Sequence, residues 1–225
     1  MSKGELLRRY VFFIVGLFVN SLGIALITKG DLGTSPISSI PYTLSIGFTP
    51  SLGMFTLYYS LLLIVLQLVI LRRRFPRQFW LQVPVSLGFS YFIDLSMALL
   101  GFLNPQSYPA KAALLLVGCA VLGIGVFMEM AANVVMLPGE CTVKAISTTW
   151  NTDFGKTKVA VDVTMAASAA VLGLVLYQEL TGVREGTFVS ALLVGAIART
   201  VHRWINPRVQ NLLTCTPAPM EQEAK

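Results

Sequence analysis

Apolar residues in this chain occur in blocks, and each block is long enough to cross a lipid bilayer as a helix. Of the 225 residues, 55% are hydrophobic and only 12% are charged. A hydrocarbon core of about 30 Å needs roughly 20 residues of helix. Six segments meet that length, at about 10–28, 53–71, 81–103, 112–131, 157–177 and 186–204. The sequence therefore predicts an all-α polytopic membrane protein with six transmembrane helices and no soluble domain.

Lys and Arg are unevenly distributed among the segments that connect these blocks. If the N-terminus is placed in the cytoplasm and the sides alternate, 14 of the 17 Lys and Arg residues fall on inner segments, and only Lys29, Lys111 and Arg184 fall outside. This bias follows the positive-inside rule. It predicts a multi-pass protein of a bacterial inner (cytoplasmic) membrane with both termini in the cytoplasm. Topology explains the net charge of +6, so no nucleic-acid partner is expected.

Two of the apolar blocks end in stretches that contain Gly and Pro. The first stretch, residues 29–45, reads KGDLGTSPISSIPYTLS, and the second, residues 131–147, reads AANVVMLPGECTVKAIS. Pro36 and Pro138 are each expected to open a short helix at its first position, where the missing N–H costs nothing. Each helix is too short to span the membrane. It either lies flat at the interface or is a broken or re-entrant helix, which the bilayer tolerates where protein or a wet cavity surrounds the broken backbone.

The two stretches are related by a shift of 102 positions. Without a gap, this shift matches Gly16 with Gly118, Val19 with Val121, Gly23 with Gly125, Pro36 with Pro138, Ser45 with Ser147, and Gly53 with Gly155. The pattern predicts a repeat over about 10–103 and 112–204, followed by a cytoplasmic tail at 205–225. Because each half has three spans, the halves would be inverted, with a binding site where the two breaks meet. Chance similarity between two Gly-rich membrane segments is the alternative.

Polar residues within the apolar blocks are the candidate binding residues, since intramembrane polar groups commonly mark functional sites. Ser90 and Asp94 lie on one face of the third block, and Asp94 is expected near the bilayer midplane. It would face a solute or proton there, or act as a hydrogen-bonded packing residue. Glu140 would face the positive end of the second short helix, which alone justifies an acid. The predicted substrate-binding residues are Asn20, Thr34, Ser35, Ser38, Ser39, Ser90, Asp94, Gly139, Glu140 and Lys144.

Motifs for catalysis, phosphate binding and metal binding are missing from the sequence. It contains no His-Glu-x-x-His, no Gly-x-Ser-x-Gly, no phosphate loop and no clustered Cys and His residues. The sequence therefore offers no motif that would support hydrolase, ATPase or metal chemistry. We expect neither an enzyme with catalytic residues nor a cofactor or metal site.

Several stretches resemble the YczE/YyaS/YitT-type bacterial integral membrane proteins, a family of unassigned function. They are GDLGTSPISSIPYTLS in the first half, and NVVMLPGECTVKAIS, FGKTKVAVDV and GVREGTFVSALLVGAIAR in the second. The resemblance implies six helices with a Gly-Thr-Ser-Pro break and a Gly/Pro/acid break, which Pro138, Gly139 and Glu140 match. It implies no substrate.

These observations favour a small secondary transporter or channel-like carrier. The start of the Pro36 helix offers hydroxyl groups but no acid, so we expect a small anionic or zwitterionic solute there. Glu140 or Asp94 would carry a coupling proton or meet a cationic group. The alternatives are a membrane-embedded substrate-binding subunit that requires an energising partner, and a non-transporting scaffold or regulator. Besides the lipid bilayer and the solute, a second copy of the chain is an expected partner, as a homodimer.

Overall fold

The computed structural model describes residues 3–72, 75–179 and 182–213. In chain order, the helices are α1 (Lys3–Lys29), α2 (Pro36–Gly47), α3 (Leu52–Leu71), a 3₁₀ helix (Arg77–Leu81), α4 (Gln82–Leu99), α5 (Tyr108–Ala132), α6 (Pro138–Trp150), α7 (Phe154–Tyr177) and α8 (Glu185–Leu213). Five of them, α1, α3, α5, α7 and α8, are long and apolar enough to cross a membrane. The described residues therefore form the all-helical fold of a membrane protein.

The third predicted span, at 81–103, is not among these five helices. It forms α4, which has only 18 residues and carries polar side chains along one face. Gln82, Ser86 and Ser90 on that face are at most 5% exposed. These polar groups lower the apolar content of a helix that is already short, so six spans are not confirmed. The last helix, by contrast, continues past the predicted end at residue 204 to Leu213. Residues 214–225 of the predicted tail lie outside the described residues.

Both predicted short helices begin at their prolines. Pro36 opens α2 and Pro138 opens α6, and the residue before each proline has extended backbone. Five residues before each proline, the chain turns through a left-handed residue, Asp31 (φ 52°) and Asn133 (φ 50°). Asp and Asn are among the few residues with a side chain that adopt this conformation readily. Ser35 occupies the N-cap position of α2, but its hydroxyl makes no capping bond.

The centre of the fold is the crossing of α1 and α5. Gly16 of α1 lies against Met128, and Gly118 of α5 lies against Ile27, so the two helices run antiparallel. Midway between these contacts, a Cβ added to Gly23 or to Gly125 would collide with the backbone of the opposite helix. Small residues allow helix backbones to approach this closely in a membrane, where the hydrophobic effect does not drive helices together.

A buried pair of glutamines joins α3, α4 and α6. Gln67 and Gln82 exchange hydrogen bonds of 3.2 and 3.0 Å between their side-chain amides. The Gln67 amide also donates to the carbonyl of Pro138 at 3.0 Å. Gln67 and Gln82 are at most 1% exposed. These bonds fix the start of α6 to the helices of the first half of the chain.

Candidate functional site

A central cavity of about 180 Å³ lies where the starts of α2 and α6 meet. At this junction the side chain of Ile37 packs against Gly139, which has no side chain to obstruct it. All eight α-helices contribute lining residues. The polar lining consists of Asn20, Ser35, Ser38, Thr56, Tyr59, Ser60, Glu129, Glu140, Lys158, Asp162 and Ser190, and side chains such as Ile24, Leu63, Phe89, Leu122 and Val126 form an apolar wall. A cavity of about 150 Å³ holds a benzene-sized ligand, so this one suits a small solute.

Charged groups of both signs line the cavity. Lys158 and Asp162, one turn apart on α7, form an ion pair with Nζ 3.1 Å from the carboxylate. Glu129 accepts a 2.7 Å hydrogen bond from the Asn20 amide. Among the described residues, neither Glu129 nor Glu140 forms a salt bridge. Because the one lysine is already paired with Asp162, the cavity has an excess of acidic groups.

A second cavity of about 390 Å³, the α6 vestibule, adjoins the first. Glu129, Leu137 and Glu140 line both cavities. The other lining residues of the vestibule are Gln78, Phe79, Gln82, Met130, Asn133, Val134, Val135, Met136, Cys141 and Lys144. These three residues therefore form the boundary between the central cavity and the vestibule.

The loops before the two short helices differ in how well they are covered. In the loop before α2, Leu32 is 3% exposed and Thr34 is fully buried. The start of α8 holds this loop, because Gly186 donates a 2.8 Å backbone hydrogen bond to the Leu32 carbonyl. In the loop before α6, Asn133 is exposed and the next four residues are only half-buried. The loop before α2 is therefore covered by protein, whereas the loop before α6 is more accessible.

Five of the ten predicted site residues line the central cavity: Asn20, Ser35, Ser38, Gly139 and Glu140. Lys144 lines the α6 vestibule instead. The hydroxyls of Ser35 and Ser38 are hydrogen-bonded to each other at 3.0 Å. The backbone N–H of Ser38 bonds to the Ser35 carbonyl at 2.9 Å. The start of α2 therefore presents few free donors to an anion.

Three more predicted site residues are buried away from the cavity. The Thr34 hydroxyl faces that of Thr28 at 3.4 Å, and the Ser39 hydroxyl donates to the Ser35 carbonyl at 3.0 Å. Ser90 lies on α4 with its backbone against Gly53 of α3. Thr34 and Ser39 make local contacts that support the loop and first turn of α2, and Ser90 supports the packing of α4 on α3.

Asp94 binds the start of α3. Its carboxylate accepts a 2.6 Å hydrogen bond from the Ser51 hydroxyl and a 2.8 Å hydrogen bond from the Gly53 backbone N–H. The helix that carries it ends at Leu99 rather than near residue 103, so Asp94 lies in the last turns of α4. It caps the neighbouring helix and does not line the central cavity.

Seven of the polar lining residues were not among the predicted site residues, namely Thr56, Tyr59, Ser60, Glu129, Lys158, Asp162 and Ser190. Lys158 and Asp162 are spaced as a helical i, i+4 ion pair, which is more often a surface feature. The shift of 102 positions aligns Lys158 with Thr56 and Asp162 with Ser60, but neither Thr56 nor Ser60 was predicted as a site residue. Among the described residues, no group of three or more His, Cys, Asp or Glu side chains is arranged to hold a metal ion.

A family of unknown function (DUF6198) matches residues 7–203. The chain therefore belongs to that family, whose match covers α1 to most of α8. No curated protein and no solved structure matches the chain.

Proposed function

We propose that this chain, a member of the DUF6198 family, is a small secondary transporter or channel-like carrier. The observation that carries the proposal is the central cavity, which lies among apolar, membrane-spanning helices and combines an apolar wall with charges of both signs. Intramembrane ionisable groups are costly unless they serve a site. Broken helices whose ends meet at such a cavity are a recurring feature of secondary transporters.

The cavity lining supports an inverted repeat of the two halves, with α4 as the sixth span. Nine pairs of lining residues are separated by 102 positions, and they are 20/122, 24/126, 35/137, 36/138, 37/139, 38/140, 56/158, 60/162 and 89/191. The same shift relates Asp31 to Asn133 at the left-handed turns. It also relates the N-caps Ser51 and Asp153, whose side chains accept from the N–H three residues later. The two halves would therefore surround the solute as inverted copies.

The two halves differ in ways that favour alternating access. Helix α4 packs closely on α3, whereas their counterparts α8 and α7 make no comparable contact. The distribution of Lys and Arg favours both termini in the cytoplasm of a bacterial inner membrane. In that orientation the covered loop before α2 faces outward, and the accessible loop before α6 faces the cytoplasm. We interpret the structure as an inward-accessible state of the carrier.

A zwitterionic solute fits the lining better than a purely anionic one. The acids of the cavity outnumber its lysine, and the start of α2 has few free donors. A carboxylate of the solute could approach Lys158, while an amine could approach the acids. A proton is the candidate coupling ion, because the same carboxyl groups can bind one.

Uptake by the purified chain in liposomes tests this proposal. We expect uptake of at least one small zwitterionic amine from an isotopically labelled panel, increased by an inward proton gradient. Lys158→Met and Glu140→Gln should abolish it, and Glu185→Gln, an exposed residue at the start of α8, is the matched control. If the folded chain takes up nothing but co-purifies with an ATPase pair, it is a substrate-binding subunit. If it has neither property, it is a scaffold or regulator.

A homodimer is also part of the proposal, because about 200 embedded residues make a thin bundle. Broad apolar faces of α3 and α7 are exposed, with Leu62, Val69, Val159 and Val175 each more than 60% exposed. These faces contact lipid in a monomer. Light scattering of the detergent-solubilised chain would distinguish one copy from two.

A further inference from the structure

We propose that Glu129 and Glu140 together bind the cationic group of the solute, an ammonium or a guanidinium. This inference rests on the proposed function and names the part of the solute that the site recognises. Its basis is the position of the two carboxyl groups at the boundary between the central cavity and the α6 vestibule.

Glu129 is a buried acid that the protein only partly satisfies. Its side chain is 6% exposed, and the Asn20 amide, bonded to Oε1 at 2.7 Å, is its one hydrogen-bond donor among the described residues. No described residue donates to Oε2, and the Glu129 side chain lines both cavities. A buried carboxylate without a counter-charge is strongly destabilising. This oxygen needs a cation, or a proton, from outside the protein.

Glu140 lines the same two cavities as Glu129, and carboxylates that share a site repel each other. Glu140 forms no hydrogen bond or salt bridge among the described residues, and Lys158, which also lines the central cavity, is already paired with Asp162. A cation between the two glutamates would relieve their repulsion. Both oxygens of Glu140 and one of Glu129 remain available to an ammonium or guanidinium, whose N–H groups form short charge-assisted bonds with carboxylates.

The surroundings of the pair favour an organic cation over a metal ion. Ile24, Leu122 and Val126 form an apolar wall beside the carboxyl groups, and this wall can pack against a hydrocarbon body. A hydrated inorganic ion would gain nothing from it. Because Glu129 and Glu140 also line the vestibule, the cationic end of the solute can reach them from that side without crossing the apolar wall.

Three probes with the same ring and different charge test the inference: benzylammonium, benzyl alcohol and benzoate. Binding to the purified full chain is measured by calorimetry. We expect benzylammonium to bind about tenfold or more tightly than benzyl alcohol, and benzoate to bind more weakly still. Glu129→Gln and Glu140→Gln should each reduce the preference for benzylammonium to about threefold or less, while Glu185→Gln should keep it.

Lys158→Met is expected to increase benzylammonium binding, whereas the glutamine variants should decrease it. An increase cannot be produced by misfolding. Lys158→Met removes the positive charge that the described lining residues contribute to the central cavity, so benzylammonium should bind several-fold more tightly. The inference is overturned if the parent binds benzoate or benzyl alcohol as tightly as benzylammonium. It is also overturned if folded glutamine variants keep the full preference, or if folded Lys158→Met binds benzylammonium more weakly. Uptake of zwitterions in liposomes is a separate measurement, so transport can stand when this assignment fails.

Discussion

The side-chain amide of Asn20 donates a 2.7 Å hydrogen bond to Glu129 Oε1 and so joins α1 to α5 at the wall of the central cavity. Both side chains are at most 6% exposed. The shift of 102 positions aligns Asn20 with Leu122, which cannot form such a bond. The polar contact holds the Glu129 carboxyl group at the wall of the central cavity.

Removing this donor should destabilise the protein. Asn20→Leu leaves Glu129 Oε1 buried without a partner, and we expect a loss of about 1–3 kcal/mol. Thermal unfolding in detergent is the measurement. The double variant Asn20→Leu with Glu129→Leu should recover part of the loss, because it leaves no buried polar group unpaired. A single variant as stable as the parent would show that the hydrogen bond contributes nothing.

Alanine at the glycines of the α1–α5 crossing should separate the two helices. A Cβ on Gly23 or Gly125 collides with backbone atoms, which cannot move aside as a flexible side chain can. We expect Gly23→Ala and Gly125→Ala each to cost about 1–3 kcal/mol. Gly88→Ala on α4 is the matched control, because a Cβ there meets nothing within 4 Å. That control should be neutral or stabilising by up to about 1 kcal/mol.

Because Asp94 binds the start of α3, we expect its substitution to lower stability and to leave uptake unchanged. Asp94→Ala removes the acceptor for Ser51 and Gly53 and should destabilise the protein by about 1–2 kcal/mol. Asp94→Asn keeps one carbonyl acceptor and should cost less. Uptake per folded molecule should be unchanged in both. If Asp94→Asn folds normally but abolishes uptake, Asp94 is a site residue after all.

The sequence was most informative where backbone geometry depends on residue type. The prolines at 36 and 138 located the starts of both short helices, because proline is favoured at the first helical position. The apolar blocks located the five helices that can span a membrane. The predicted end of the third span near residue 103 was too late, because α4 ends at Leu99, just before the stop signals Gly101 and Pro105.

The candidate site was only partly accessible from the sequence. Ser38 and Glu140 were predicted because they lie in the two stretches where Gly and Pro interrupt the apolar blocks. Lys158 and Asp162 lie within a long, regular helix, and only the packing of α7 against α2 and α6 brings them to the cavity. For Asp94, the sequence left open a site residue and a packing residue, because its position along α4 does not show which N–H groups of α3 its carboxylate meets.

Membrane topology can be tested with single cysteines in a background without the native cysteines at positions 119, 141 and 215. Ser107→Cys, at the N-cap of α5, should react from outside intact cells with a membrane-impermeant maleimide. Lys156→Cys, in the first turn of α7, should react only after the cells are opened. The expectation follows from the bias of Lys and Arg toward the inner segments. Labelling of Lys156→Cys in intact cells would reverse the orientation.

Adding an acid at Ser38 tests the charge asymmetry between the two halves. The shift of 102 positions aligns Ser38 with Glu140, and both line the central cavity. The cavity therefore has a hydroxyl on one side of the helix junction and a carboxyl on the other. Ser38→Glu places a third unpaired carboxyl in the cavity, whereas Ser38→Gln adds similar bulk without charge and is the matched control.

The expected effects of Ser38→Glu have opposite signs for the two charged probes. Benzylammonium should bind several-fold more tightly to Ser38→Glu than to Ser38→Gln, because a further negative charge attracts it. Benzoate should bind more weakly, since a carboxylate near the start of α2 would be repelled. Calorimetry on both variants gives the comparison, and equal unfolding temperatures would exclude an effect of bulk. If benzoate binds the parent well and loses its affinity in Ser38→Glu while benzylammonium is unaffected, the start of α2 is an anion site. The cationic group of the solute then lies elsewhere.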